Sequence, residues 1–338
     1  MKPVSPAPIT NALWHEMTLP VLPRYVSAIL WTFLVFGSSL LAAVNALPLI
    51  PSTFLDGSLD RRTVIVESSK AALVNTLALA DDPTSTASTP NKLLQVVKDP
   101  ESYSALAYHG SSNNNNKPPL ILTLHGAGKN DLDILTDLGD PRGEHGGLIP
   151  SLIASGQAPS ALLQNFAVLA PYAQGKASFY QDSRSKLLQF VDWAIQNQGT
   201  DQCPINFDPK RIVLFGFSDG ATVAVELLTT SRFAGGVICS YGYNGPALPS
   251  RALERLANKP MWVFHSADDV IFDVQNSDRL VEQLRKEKSG SRPDIIKYSR
   301  YERDPENLPP RVRGHSMGIT ASKQAEVYDW MLQLPPIT

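Results

Sequence analysis

The stretch Gly216-Phe217-Ser218-Asp219-Gly220 sets one serine between two glycines. The apolar run RIVLF leads into it and ATVAVELL leads out of it. That is the context of a nucleophile elbow, in which a strand reverses sharply into a helix. Glycines two before and two after the serine let such a turn close without side-chain clash. The hydroxyl then stands above a sheet edge, at the positive end of a helix. The competing reading is a phosphate-cradling or plain connecting turn. No Lys-Ser/Thr pair follows Gly220, which argues against a phosphate loop.

A serine hydroxyl is a poor nucleophile at neutral pH and needs a base. The chain has six histidines, at positions 15, 109, 125, 145, 265 and 315. Where serine, acid and histidine occur in that chain order, only His265 and His315 qualify. His265 closes the apolar run MWVFH, whereas His315 lies in the loop-like RVRGHSMG and can reach over a sheet edge. His315 is therefore the expected base. An acid must hold the imidazole tautomer and stabilise its cation. Asp268 and Asp269 follow MWVFH. Adjacent side chains point apart, so one serves; Asp269 is preferred and Asp268 is the fallback. The oxyanion of acyl transfer needs N–H donors. The Asp219 N–H is one candidate. The loop after LILTL, His125-Gly126-Ala127-Gly128, offers the other at Ala127, with Gly128 next. Its small residues Gly126 and Gly128 would let the backbone approach substrate. His125 reads as a structural histidine at a strand end.

These residues need a scaffold. LILTL, FAVLA, RIVLF, GGVICS and MWVFH are short continuous apolar runs, as expected of strands covered on both faces. SYSALAYH reads as a further strand and DIIKYSRY as an outer one. Between them lie the amphipathic RSKLLQFVDWAIQ and SDRLVEQLRKEK, the latter with Ser277 or Asp278 as cap. A last helix includes ASKQAEVYDWML, with Ala321, Ala325, Tyr328 and Leu332 on one face. The alternation predicts an α/β fold: a mostly parallel sheet with helices on both faces.

Bulk composition agrees. Of 338 residues, 43% are apolar and 18% charged, which suits a packed core. A net charge of −2 gives no field to attract nucleic acid. No charged residue occurs from Tyr25 to Leu55. Residues 1–24 read as a leader and 25–50 as a membrane-spanning anchor or a signal peptide cut after Ala46. Either reading implies a membrane-anchored or secreted protein. Residues 51–90 are a linker with a possible short helix, and the compact domain spans 91–338. The histidines show no metal-ligand spacing, and HGAGKND lacks the dinucleotide pattern. The expected chemistry needs no cofactor and no metal, only water.

Together the stretches LILTLHGAG, DPKRIVLFGFSDGA, KPMWVFHSADDVIF and GHSMGITASKQAEVYDWML resemble the α/β-hydrolase superfamily. More narrowly they are similar to its polyhydroxybutyrate depolymerase-like, feruloyl-esterase-like, predicted-peptidase and phospholipase/carboxylesterase branch. The resemblance runs from about Ser102 to Leu334. It implies an α/β-hydrolase fold, a nucleophile at Ser218, an acid at Asp269, a histidine at His315 and an oxyanion turn at Ala127. Two positions depart from the pattern. Ser266 stands where such relatives carry glycine, which leaves Asp268 and Asp269 both open. Ala221 follows the elbow where a second glycine is common.

In such a sheet RIVLF and GGVICS are parallel neighbours. Cys203 then lies near the start of one and Cys239 at the end of the other. A strand of about six residues spans roughly 20 Å, too far for a disulfide, so two free thiols are expected. Ligands enter open α/β sheets above the carboxyl ends of the strands. The loop from Lys129 to Ile149, PYAQGKASFYQDSRS and SYGYNGP should wall that region, with Phe179, Tyr180, Tyr241 and Tyr243 as candidate aromatic surfaces. The expected function is hydrolysis of carboxylic esters or thioesters of small-molecule or lipid-like acyl substrates. The alternatives are a peptidase on the same residues and a membrane-tethered, non-catalytic binding domain.

Overall fold

A computed structural model describes residues 93–110, 117–243, 248–287 and 295–338. The apolar segment 25–50 and the linker 51–90 lie outside these residues. Among the described residues, no helix is long and apolar enough to cross a membrane.

Eight strands of the described residues form one sheet: β1 (Leu94–Lys98), β2 (Ser104–Tyr108), β3 (Leu120–Leu124), β4 (Ala167–Tyr172), β5 (Ile212–Phe217), β6 (Gly235–Cys239), β7 (Met261–Ser266) and β8 (Ile296–Tyr301). Their spatial order is β1-β2-β4-β3-β5-β6-β7-β8. β1 and β2 pair antiparallel, as do β2 and β4. Every later pairing is parallel. The central strands β3 and β4 are buried at every position, which explains their unbroken apolar runs. β1 was not among the expected strands. LQVVK sits at the edge and leaves Gln95, Val96 and Lys98 exposed, so it carries no uninterrupted apolar signal.

Among the described residues, eight α-helices cover the two faces: α1 (Ile149–Ala154), α2 (Ser160–Asn165), α3 (Arg184–Asn197), α4 (Asp219–Leu228), α5 (Ser250–Ala257), α6 (Gln275–Glu287), α7 (Met317–Ser322) and α8 (Ala325–Leu332). On one face α3 buries Leu187, Phe190, Val191 and Ala194, joined by α4, α5 and α6. On the other, Ile149 and Ile153 of α1, Leu162 of α2 and Met317 of α7 pack with Val327, Tyr328 and Met331 of α8. Each large side chain buried there contributes roughly 1.5–3 kcal/mol of transfer free energy. α4 is buried nearly all round, which its apolar sequence requires because it lies over the centre of the sheet.

Two helix expectations need correction. The final helix is broken: α7 ends at Ser322 and α8 begins at Ala325. The break rotates the second half, so Val327, Tyr328 and Met331 face the core while Ala325 is exposed. α6 starts at Gln275, so Ser277 and Asp278 lie within it rather than capping it. The first turn is held instead by Asp273, whose Oδ1 accepts the Gln275 N–H at 2.9 Å. Cys203 and Cys239 are free and buried, as the strand geometry predicted. Cys239 pairs in register with Phe217, at the carboxyl end of the sheet.

Candidate functional site

Ser218 joins β5 to α4 with φ 56° and ψ −123°, a conformation that costs a non-glycine residue of order 1–3 kcal/mol. The surroundings enforce it. The Ser218 N–H donates to the Cys239 carbonyl (2.9 Å), while its own carbonyl accepts from Ala221 and Thr222. A Cβ on Gly220 would lie 2.2 Å from the Leu124 carbonyl oxygen, so only glycine lets α4 start this close to β3. Asn130 and Ser240, the other two non-glycine residues with positive φ among those described, follow the carboxyl ends of β3 and β6. Backbone strain thus gathers along one edge of the sheet.

At that edge the three candidate side chains meet. His315 Nε2 lies 2.9 Å from Ser218 Oγ. His315 Nδ1 lies 2.8 Å from Asp269 Oδ2. The Asp269 side chain is fully buried and that of His315 is 10% exposed. Phe217 and Phe272 flank the imidazole, with ring centroids 5.2 and 5.3 Å away. Burial pushes the Asp269 carboxyl up, but hydrogen bonds from His265 and His315 and from the Phe272 N–H outweigh it and hold the group well below the usual carboxylate range.

Asp268, the fallback acid, faces elsewhere. Its Oδ1 accepts the Ser266 hydroxyl at 2.6 Å and the Asp304 N–H at 3.1 Å. Ser266, where glycine was the expected residue, therefore ties the acid turn to Asp268. Asp304 was not singled out from the sequence. Its Oδ2 accepts both the N–H and the hydroxyl of Ser316, at 2.9 and 2.5 Å, and so fixes the residue next to His315. No spacing rule pairs positions 304 and 316; only the returning chain brings them together.

The loop after β3 comes close to the elbow: a Cβ on Gly126 would lie 3.0 Å from Ser218 Cβ. Ala127 is the middle residue of this loop and Asp219 the first of α4. The Gly128 N–H is not free, because it donates to the Ala177 carbonyl at 2.9 Å. Gly128 is thus corrected from alternative donor to loop anchor. Glu144 supports the same loop, its Oε2 accepting the Lys129 N–H at 2.7 Å. The segment from Lys129 to Ile149 thus buttresses the loop. Burial raises the Asp219 carboxyl, opposed by a hydrogen bond from Ser178 and by the charges of His315 and Arg184.

The aromatic candidates divide. Tyr180 is 41% exposed and stacks under the Arg184 guanidinium, 4.8 Å from the ring centre. Tyr241 is only 3% exposed and stacks on Tyr243, so little of its surface can meet a ligand. Phe179 is wholly buried against His125 and Tyr103, which corrects its reading as a cleft wall. A surface depression between α6 and β8, lined by Asp278, Arg285 and Tyr298 among others, lies three strands from β5 and shares no residue with this site.

His125 has both ring nitrogens engaged: Nδ1–H donates to the Gly126 carbonyl (2.7 Å) and Nε2 accepts the Ala173 N–H (3.1 Å). It is structural. Burial first, then the neighbouring His145, holds its pKa far below the ordinary value. The unfolded chain takes up a proton near pH 6.5, which the folded ring refuses. The neutral ring's stabilising contribution is therefore present above about pH 6.5 and lost as pH falls below it. The melting temperature is expected to drop between about pH 7 and 5, with a shallower slope in His125→Gln, measured by thermal denaturation. An identical slope in that variant would contradict the assignment.

Ligand atoms of Asp137, Glu144 and His145 lie within 4.8 Å of one another, a grouping the sequence spacing did not signal. Each is already engaged within the protein. Asp137 Oδ2 accepts the Tyr172 hydroxyl (2.5 Å), Glu144 accepts Lys129 N–H, and His145 Nε2–H donates to Asn130 Oδ1 (2.7 Å). The trio fits an internal network that braces the loop after β3.

Comparison with known proteins gives the following. Residues 166–302, less than half of the chain, match the model of the Phospholipase/Carboxylesterase family. The match includes Ser218 and Asp269 and ends before His315. No curated protein sequence matches significantly. The solved structure of a thermostable esterase is similar, with a TM-score of 0.53 and 22% identity over 72% of this chain. The match spans 62% of that esterase, less than two thirds of its length. An esterase from Pyrococcus furiosus is similar at a TM-score of 0.45 and 16% identity, covering 71% of this chain and 92% of that one. The acylaminoacyl peptidase of Pyrococcus horikoshii gives 0.46 and 13%, covering 74% and 42%.

Proposed function

Taking as premise that the chain has the α/β-hydrolase fold, we propose that it is a serine hydrolase acting on carboxylic esters or thioesters through an acyl-enzyme. The observation that carries this reading is the 2.9 Å approach of His315 Nε2 to the strained Ser218 hydroxyl, with Asp269 at 2.8 Å behind the ring. In the reaction, Ser218 Oγ attacks the acyl carbon while its proton passes to His315 Nε2. The oxyanion is stabilised by the Ala127 and Asp219 N–H groups. Collapse expels the alcohol or thiol, which takes the proton from His315. Water then attacks the acyl carbon as it passes a proton to the same imidazole, and the imidazolium returns that proton to Ser218 Oγ as the acid leaves. Asp269 keeps the Nδ1–H tautomer and stabilises the imidazolium.

Phe217 and Phe272 against the imidazole support an apolar acyl or alcohol group beside the reacting carbon. In this reading the uncharged run 25–50 holds the enzyme at a membrane or routes it through secretion. A fluorophosphonate probe tests the proposal. Wild type should be labelled covalently and Ser218→Ala should not. Folded wild type that resists the probe would overturn it. Cleavage of aminoacyl amides as readily as of activated esters would instead move the assignment to a peptidase.

A further inference from the structure

We infer that His265 is a positioning residue that grips the acid turn from inside the sheet and aims Asp269 at His315. The inference rests on the serine hydrolase reading above. His265 is fully buried, at the carboxyl end of β7. Its Nδ1 lies 2.7 Å from the hydroxyl of Ser277, itself buried in α6. Its Nε2 lies 3.0 Å from the Phe272 carbonyl and 3.3 Å from Asp269 Oδ2. A carbonyl and a carboxylate have no protons to give, so Nε2 must carry one and share it between them. The Phe272 N–H in turn donates to Asp269 Oδ1 at 2.9 Å, beside the Ile271 N–H at 2.8 Å.

The consequence is geometric. Asp269 Oδ1 takes the two backbone donors, and Oδ2 meets His315 on one ring and His265 on another. These four donors match the roughly four lone-pair directions of a carboxylate. Rotating the carboxylate toward any other partner would break several bonds at once. His265 holds the turn at two points, the Phe272 carbonyl and Oδ2, and is itself held at Nδ1 by α6. The buried ring therefore transmits the rigidity of β7 and α6 to the acid, the support that a site needs to keep its geometry.

The alternative is a histidine that only joins β7 to α6. The two roles separate by substitution. Gln can present an amide N–H near the Nε2 position. Asn can keep a bond to Ser277 but is too short to reach Asp269. Leu fills a similar volume without donors. Purified full-length variants are assayed with a p-nitrophenyl ester, with melting temperature recorded for each. His265→Asn and His265→Leu are expected to lose about 10–100-fold in kcat, the scale seen for residues that orient the ligands of catalytic metals, with KM nearly unchanged. His265→Gln should recover most of the loss. The downfield proton resonance of His315 Nδ1–H should persist in wild type and the Gln variant and weaken in the other two.

Folded Asn and Leu variants with wild-type kcat would overturn the inference. So would a Gln variant as impaired as Leu, since the donor would then not matter. Should Leu prevent folding, Ser277→Ala frees the ring at Nδ1 and is expected to give a smaller kcat loss in the same direction. Wild type that resists fluorophosphonate defeats the serine hydrolase reading alone. The proton resonance would still report whether His265 orders the Asp269–His315 pair.

Discussion

Replacing His315 by alanine is expected to lower kcat by about 10⁵–10⁶-fold, with Ser218→Ala equally impaired and the double variant no worse. The reason is the shared proton. Ser218 Oγ and His315 Nε2 sit 2.9 Å apart, and neither has a second partner able to perform its task. Removing the imidazole leaves a hydroxyl that is barely ionised at neutral pH. Removing the hydroxyl leaves a base with no nucleophile to activate. Losses that arise from one step do not add. The residual rate should come from the N–H groups and from substrate binding. Steady-state kinetics of the three variants on one activated ester checks this. Additive losses, or a His315→Ala variant within tenfold of wild type, would show that the pair does not act as a unit.

Asp269→Asn is expected to cost about 10⁴-fold in kcat, and Asp268→Asn far less. The carboxylate accepts from His315 Nδ1–H at 2.8 Å. An amide nitrogen in its place would favour the tautomer with the proton on Nε2, where it cannot accept from serine. Asp268 bonds Ser266 and Asp304, and Asp304 in turn fixes Ser316. Its loss should loosen the loop that carries His315 and lower the melting temperature, while kcat falls by about tenfold or less. These substitutions act on neighbouring residues with different partners, so kinetics and melting curves of both variants decide between them. Equal kinetic losses would mean that the acid turn works as one piece.

The local devices were legible in the sequence because they are local. A glycine-flanked serine between an apolar strand and an apolar helix can form few turns, and the observed φ of 56° is the strained one its neighbours anticipate. Continuous apolar runs identified β3, β5, β6 and β7, since strands covered on both faces carry no polar alternation. Edge elements were harder. β1 is half exposed and reads as ordinary surface. The break between α7 and α8 leaves no glycine or proline mark, yet beyond it Tyr328 and Met331 are buried in the core on that face of the sheet.

What the sequence by itself determined is an α/β sheet, a serine at an elbow, an ordered set of acid and histidine candidates, and two thiols too distant to join. What the tertiary structure decided is which carboxylate meets the imidazole, which loop N–H groups are already spent, and which buried groups hold the site still. Asp268 and Asp269 are adjacent in the chain, and only the Ser266–Asp268–Asp304 bonds on one side and the grip of His265 on the other send them to different partners. Segment 140–165 carried no readable motif, yet it supplies Glu144, which braces the loop beside Ser218. The physical reason is that sequence spacing encodes the periods of helices and strands. Contacts between residues 12 to 97 positions apart depend on how complete elements pack, and that packing is a property of the whole sheet.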